Sequence, residues 1–260
     1  MKKILVLAAV KKLVVIAVLA MLSNPVQAAE EAHIAKQEWS FSGPTGTYDR
    51  AAMQRGLQVY RQVCSSCHSM NRVAYRNLED LGYTPEQVKS LAAGDTVRDG
   101  PNDEGEMFDR PARASDYFKA PYANDNAARY ANGGALPPDL SLIVKARHGG
   151  ADYIYGILTG YAEAPAGFAM NPGMHYNKAF NGHQIAMPAP LSDGVVAYGD
   201  NSPQTVKQYA HDVSTFLAWA SDPHMEERKR NGVKVLIVLA ALCGVMYFVK
   251  KQLWKKIKGH

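Results

Sequence analysis

Cys64-Ser65-Ser66-Cys67-His68 is the chemically densest run in the chain. Two thiols at this spacing can form thioethers to the two vinyl groups on one edge of a haem. An imidazole in the next position is then held under the iron. The run predicts one covalently bound haem c, with His68 as an axial ligand. Two other uses of the spacing fit less well. A zinc site needs two more Cys or His ligands at local spacing, and the flanking residues supply none. A thioredoxin-like pair follows a strand in a βαβ unit, whereas the residues before Cys64 are patterned as a helix.

The opposite axial position has several candidates: Met70, Met107, Met170, Met174, Met187, His148, His175, His183 and His211. Met70 is too near His68 to reach the other haem face. Met170, Met174 and Met187 fall in one long loop before the last domain helix. Met187 has the most suitable surroundings, with Ile185 and Ala186 before it and the stiffening Pro188 after it. A thioether raises the reduction potential relative to a second histidine. His183 gives the bis-histidine alternative. Spacing favours Met187 and leaves the others open.

Gly133-Gly134-Ala135-Leu136-Pro137-Pro138-Asp139-Leu140-Ser141 reads as a rigid, partly apolar turn. It suits a haem edge, and equally an ordinary helix start capped by Asp139. Arg147 can pair bidentately with a haem propionate, or form a surface salt bridge. Tyr153 can add a hydroxyl to the same place. The acidic run from Asp99 to Asp109 suits docking of a basic protein, or plain solvation.

The elements that position these groups are mostly short helices. The spacing predicts a helix over Arg50 to Val63, with Ala52, Val59 and Val63 near one face, leading into the cysteine motif. A second covers Arg72 to Leu81. Thr84-Pro85-Glu86-Gln87 is a capping box that starts a third, running to Ala92. Gly94 to Pro111 reads as a loop. Asn126 to Ala131, Asp139 to Arg147 and Asp152 to Thr159 read as brief helices separated by glycine pairs and Gly160. Ala162 to Pro190 is a Gly/Pro-rich loop, long enough to be functional or disordered. Ser202-Pro203 caps a helix with Val206, Ala210, Val213, Leu217 and Ala220 at helical spacing. Such a domain has a thin core, which a buried macrocycle would fill.

The 260 residues suffice for one domain with extras. Residues 1–28 have Lys2, Lys3, Lys11 and Lys12, an apolar run from Leu13 to Leu22, and Val26-Gln27-Ala28 as a cleavage site. That is the layout of a signal peptide. Residues 233–249 are apolar apart from Lys234, at the short end of a membrane span. Lys234 can snorkel to the interface. Arg228, Lys229 and Arg230 precede the span; Lys250, Lys251, Lys255, Lys256 and Lys258 follow it. The larger cluster places the C-terminus in the cytoplasm, and an exported N-terminus demands the same topology. The expected division is thus a signal peptide over 1–28, a haem domain over 29–222, and an anchor with a basic tail over 223–260.

The net charge of +5 conceals a reversal. Between the signal and Met225 lie 16 basic and 22 acidic residues, a net charge of −6. That charge repels nucleic acid and steers basic partners inward. Cys243 lies in the apolar span and cannot pair with the motif cysteines.

These runs resemble the cytochrome c1 family in its bacterial form, from about Phe41 to Ile257. The likeness is carried by Gln58-Val59-Tyr60-Arg61-Gln62-Val63 with the following motif, by Asp99-Gly100-Pro101-Asn102 and by Asn132-Gly133 through Ser141. Ala146-Arg147-His148-Gly149-Gly150, Gln184-Ile185-Ala186-Met187 and the basic anchor complete it. The resemblance implies a mostly α, cytochrome c-like haem domain followed by one C-terminal transmembrane helix. It implies Met187 as sixth ligand, and Arg147 and Tyr153 at the propionates. It implies Asn132, Ala135, Pro137, Pro138, Ile143, Leu158 and Phe180 in the haem pocket.

The family is the haem subunit of the cytochrome bc1 (quinol–cytochrome c oxidoreductase) complex, without catalysis of its own. It works beside cytochrome b in a dimeric multisubunit assembly. It accepts an electron from a Rieske iron–sulfur protein and gives it to a soluble or tethered basic cytochrome c. The implied location is the bacterial inner membrane, with the haem domain in the periplasm. Pro188-Ala189-Pro190-Leu191 falls where relatives vary. The extra disulfide of some bacterial members is ruled out by the position of Cys243. The rival readings are another tethered c-type cytochrome, a haem enzyme with an open iron position, and a structural haem.

Overall fold

The structure is a computed structural model and describes residues 34–257. The expected signal peptide over 1–28 lies outside the described residues. Helix α1 (Arg50–Gln62) starts at Asp49, whose side chain accepts from the Ala52 N–H. This satisfies one of the donors that a helix start leaves unpaired. Its inner face buries Met53, Gly56, Leu57, Val59 and Tyr60, the three- and four-residue spacing of an amphipathic helix. It ends at Val63, and the chain tightens into a 3-10 turn over Cys64–Ser66. Helix α2 (Pro85–Ala93) begins with the expected reciprocal cap between Thr84 and Gln87. A brief α3 (Asp125–Ala131) is capped by Asn124.

Helix α4 (Gly150–Thr159) and α1 both pack on α5 (Val206–Ser221). Helix α5 is therefore the centre of the domain, and nearly all its residues from Tyr209 onward are buried. Phe216, Trp219 and Tyr209 supply most of the bulk, against Tyr60 and Leu57 of α1. Inside this apolar contact Asp212 is fully buried, and Arg55 holds it with two bonds of 2.8 and 3.0 Å.

Four expected elements differ in detail. The Arg72–Leu81 helix is a 3-10 helix over Tyr75–Leu81. Residues 73–75 are instead paired with another segment, through Tyr75 N–H to Asp116 O (3.0 Å) and Phe118 N–H to Val73 O (3.1 Å). The Gly94–Pro111 loop contains an antiparallel hairpin, β1 (Thr96–Asp99) with β2 (Phe108–Pro111). Arg110 fastens it by pairing with both Asp99 and Asp116. The Asp139–Arg147 helix is a series of turns. Pro137 and Pro138 donate no backbone N–H, and Asp139 is engaged elsewhere.

The fourth difference is the Ala162–Pro190 loop, which is organised. β3 (His175–Tyr176) pairs with β4 (Gln184–Ile185). The buried Asn177 side chain donates to Ile157 O at 2.8 Å and accepts from Ala179 N–H at 2.9 Å. That side chain nails the loop to the end of α4.

Helix α6 (Met225–Ile257) leaves the domain after Pro223. Its 33 residues reach about 50 Å at 1.5 Å per residue, more than the ~30 Å hydrocarbon core of a bilayer. None of its most apolar stretch is buried. A core helix would be covered, so α6 has the character of a single membrane anchor. Its first turns are stapled to the domain. Arg50 binds Glu226 with two bonds of 2.9 Å. Lys229 donates to Phe41 O at 2.7 Å and Gly46 O at 3.0 Å.

Candidate functional site

The cysteine motif is shaped by its own backbone. Cys67 N–H and His68 N–H both donate to Cys64 O, at 3.1 and 2.9 Å. Ser65 Oγ donates back to Arg61 O at 2.8 Å, and Ser66 Oγ to Val63 O at 2.8 Å. Both thiols are free and half-buried. Burial, with Cys67 nearby, pushes the Cys64 thiol up to about 12. Among the described residues no group of three or more His, Cys, Asp or Glu is placed to hold a metal ion.

His68 Nδ1 lies 2.8 Å from the Pro138 carbonyl oxygen. A carbonyl only accepts, so Nδ1 carries the proton and Nε2 keeps its lone pair. Desolvation holds the imidazole below its ordinary pKa despite this bond. The ring is thus oriented by its Nδ1 contact, with Nε2 on the other side, as an axial iron ligand must be. Leu140 N–H donates to Ser69 O at 2.9 Å, so the segment carrying Pro138 runs alongside the motif.

Asn132 reaches the motif through a tyrosine. Its Nδ2 donates to Ala128 O at 2.7 Å and to Tyr122 Oη at 3.2 Å. The Tyr122 hydroxyl in turn lies 4.0 Å from Cys67 Sγ. Ala135 N–H donates to Asn132 O at 3.1 Å. Ala135, Pro137, Tyr153, Leu158 and Phe180 are half-buried, Ile143 is buried and Pro138 is exposed. Arg147 is exposed, and among the described residues its side chain bonds to Ala146 O at 3.1 Å. The surface salt bridge weighed for it is not formed among the described residues.

Met187 follows β4 and is half-buried. Its carbonyl accepts from Tyr161 Oη at 3.0 Å, just beyond the end of α4. The motif and Met187 thus arrive on separate elements, joined through α5. Of the rival donors, His183, His211 and Met70 are engaged elsewhere. His183 closes a turn, with Nδ1 3.3 Å from Asn177 O. His211 stacks on Trp39, ring centroids 4.9 Å apart. Met70 is fully buried in the core, and Met107 is exposed beside the hairpin. Met170 and Met174 are half-buried in the Met187 loop. Two free thiols, an imidazole with one nitrogen committed and a half-buried thioether match the donor set of a covalent haem.

The Cytochrome C1 family model matches residues 39–257. The chain belongs to the cytochrome c1 family. A mitochondrial cytochrome c1 heme protein of Solanum tuberosum is 52% identical, over 85% of each chain. One from Saccharomyces cerevisiae is 50% identical, over 87% of this chain and 74% of that protein. The cytochrome b/c1 of Bradyrhizobium diazoefficiens is 49% identical over 84% of this chain. This chain spans only 35% of that longer protein.

In this cytochrome c1 family member, sequence reasoning missed Tyr122 and Tyr161. Tyr122 stands 55 positions from Cys67, and Tyr161 stands 26 from Met187. The one available signal was Tyr122 in the Pro121-Tyr122-Ala123-Asn124 run before α3, a polar aromatic beside a helix cap.

Proposed function

We propose that this chain is the haem-bearing, electron-transfer subunit of a quinol–cytochrome c oxidoreductase (bc1) complex, with no catalysis of its own. Cys64 and Cys67 would hold one haem c by thioethers, and His68 and Met187 would supply the side chains that bind its iron. Bound there, haem supplies a one-electron centre that alternates between Fe(II) and Fe(III). Asn132, Ala135, Pro137, Pro138, Ile143, Leu158 and Phe180 wall the pocket, which favours a high potential by excluding water. Arg147 and Tyr153 hold the propionates. With His68 and Met187 both engaged, the group would transfer electrons without binding a substrate.

The observation that carries this reading is the bond from His68 Nδ1 to the Pro138 carbonyl, beside two free thiols. The relatives, named as heme proteins and a cytochrome b/c1, point the same way. In this reading residues 1–28 are a cleaved signal. Residues 29–222 face the periplasm, and 223–260 anchor the chain singly in the inner membrane with the basic tail inside. The partners are cytochrome b, a Rieske iron–sulfur donor and a basic cytochrome c acceptor, in a dimeric assembly. Nucleic acid is excluded by the acidic domain.

Gentle solubilisation of membranes followed by affinity purification tests it. The expected result is co-purification with a b-type cytochrome and an iron–sulfur protein, and no carbon monoxide binding to the reduced c-type haem. Recovery solely as a monomer, or binding of carbon monoxide by the native haem, overturns it.

A further inference from the structure

Asp139 is one residue beyond the carbonyl that engages His68. Its Oδ2 accepts from Ser69 Oγ at 2.8 Å and from Asn71 N–H at 2.8 Å. Its Oδ1 accepts from Ser141 N–H at 2.9 Å. One carboxylate thus joins the residues just after the iron-ligand histidine to those just after Pro138. The joint is backed on its far side. Arg72 N–H donates to Ser141 Oγ at 3.0 Å, and Ser221 Oγ of α5 donates to Ser141 O at 3.3 Å.

The local sequence makes such a joint necessary. Pro137 and Pro138 have no N–H to fix their own segment. The Pro138 carbonyl belongs to the same planar peptide as the Asp139 nitrogen. Anchoring Asp139 from both sides therefore fixes the direction of that carbonyl. A ring N–H bonded to a carbonyl makes the imidazole a more basic ligand. A more basic ligand favours the ferric state.

We propose that Asp139 is a positioning residue that keeps the Pro138 carbonyl on His68 Nδ1 and so sets the donor strength of the iron ligand. This rests on the reading of His68 as an axial ligand. The role differs from helix capping, since no helix follows Asp139, and from a charge effect, since it acts through peptide orientation.

The test uses the full chain in its purified membrane complex. Asp139→Asn and Ser69→Ala are compared with the unaltered protein by redox titration and by low-temperature electron paramagnetic resonance of the ferric haem. Ser69→Ala removes one anchoring bond without changing charge, and it serves alone if Asp139→Asn does not assemble. The expected result is an upward shift in midpoint potential in both variants. The single low-spin signal should also broaden or split, because the imidazole is no longer held in one orientation. A raised potential in Asp139→Asn with an unchanged signal, and no change in Ser69→Ala, means a charge effect only and overturns the assignment. No change in either variant also overturns it. Failure of the underlying reading is separate: the unaltered protein would then show no low-spin haem with a histidine ligand.

Discussion

Gly56 of α1 runs so close to Asp212 of α5 that a Cβ added to it would meet the Asp212 carbonyl oxygen at 2.2 Å. The same Cβ would meet Phe216 Cβ at 2.6 Å. Neither neighbour can step aside, one being backbone and the other the stem of a buried ring. Gly56→Ala must push the two helices apart. Overpacking of this kind costs about 3 kcal/mol. The expected outcome is a lower unfolding midpoint in denaturant and a reduced yield of holoprotein. Unfolding at the midpoint of the unaltered protein would show that the crossing is looser than described.

The buried pair beside it gives a second expectation. Burial works to raise the Asp212 carboxyl, but the His211 ring 3.9 Å away and hydrogen bonds from Arg55 and Gln208 outweigh it and leave it below the ordinary range. A carboxyl lowered on folding stabilises the fold above its unfolded value, about 3.9, and loses that contribution as pH falls through the folded value. Asp212→Ala removes two of the Arg55 bonds, leaving the one to Asp200 at 2.9 Å, and costs about 3 kcal/mol at neutral pH. Chemical denaturation across a pH series checks both points. The gap between variant and parent should be widest near neutrality and should close below about pH 4.

Met187→Leu should keep the haem attached and change its electronics. Losing the thioether lowers the potential by on the order of 100 mV, a modest part of the ~0.8 V that axial ligation spans. It also opens an iron position, so the reduced variant should bind carbon monoxide. Redox titration and difference spectra read both. An unchanged potential means another residue is the ligand, with Met170 and Met174 of the same loop next in line.

Docking of a basic acceptor should depend on ionic strength. Asp103, Glu104 and Glu106 stand exposed on the turn between β1 and β2, whereas Asp99 is neutralised by Arg110. The Arg110 bond holds the Asp99 carboxyl below its ordinary range. Exposed charges are screened beyond about 8 Å at physiological salt. Electron transfer to a basic cytochrome c should therefore slow as salt rises. Replacing the three turn carboxylates by amides should slow it at low salt and flatten the dependence. Stopped-flow rates that ignore both salt and these substitutions would remove the steering role.

The cysteine motif stood out because its residues are local: five consecutive positions carry two thiols and an imidazole. Helix α2 was legible from its cap and α1 and α5 from apolar spacing, although α5 is capped by Thr205 and not by Ser202. The failures came where a distant partner decided the outcome. Val73 to Tyr75 pair with Asp116 to Phe118 instead of continuing a helix. Arg110 turns an acidic run into a hairpin by binding Asp99 and Asp116. Asp139 read as a helix cap, yet its carboxylate is occupied by Ser69, Asn71 and Ser141. Asn177 orders a segment that its glycines and prolines describe as loose. None of these pairings leaves a periodic trace in the sequence.

The central claim is that Cys64 and Cys67 fasten one haem to this chain. Purifying the chain, denaturing it and extracting with acidified acetone tests that most directly. The account predicts that haem stays on the polypeptide at one per chain, with a mass raised by one haem on the peptide containing Cys64 and Cys67. The attachment should be lost in the double variant Cys64→Ala/Cys67→Ala. Haem that extracts freely, or a motif peptide recovered at its unmodified mass from the native complex, would contradict it.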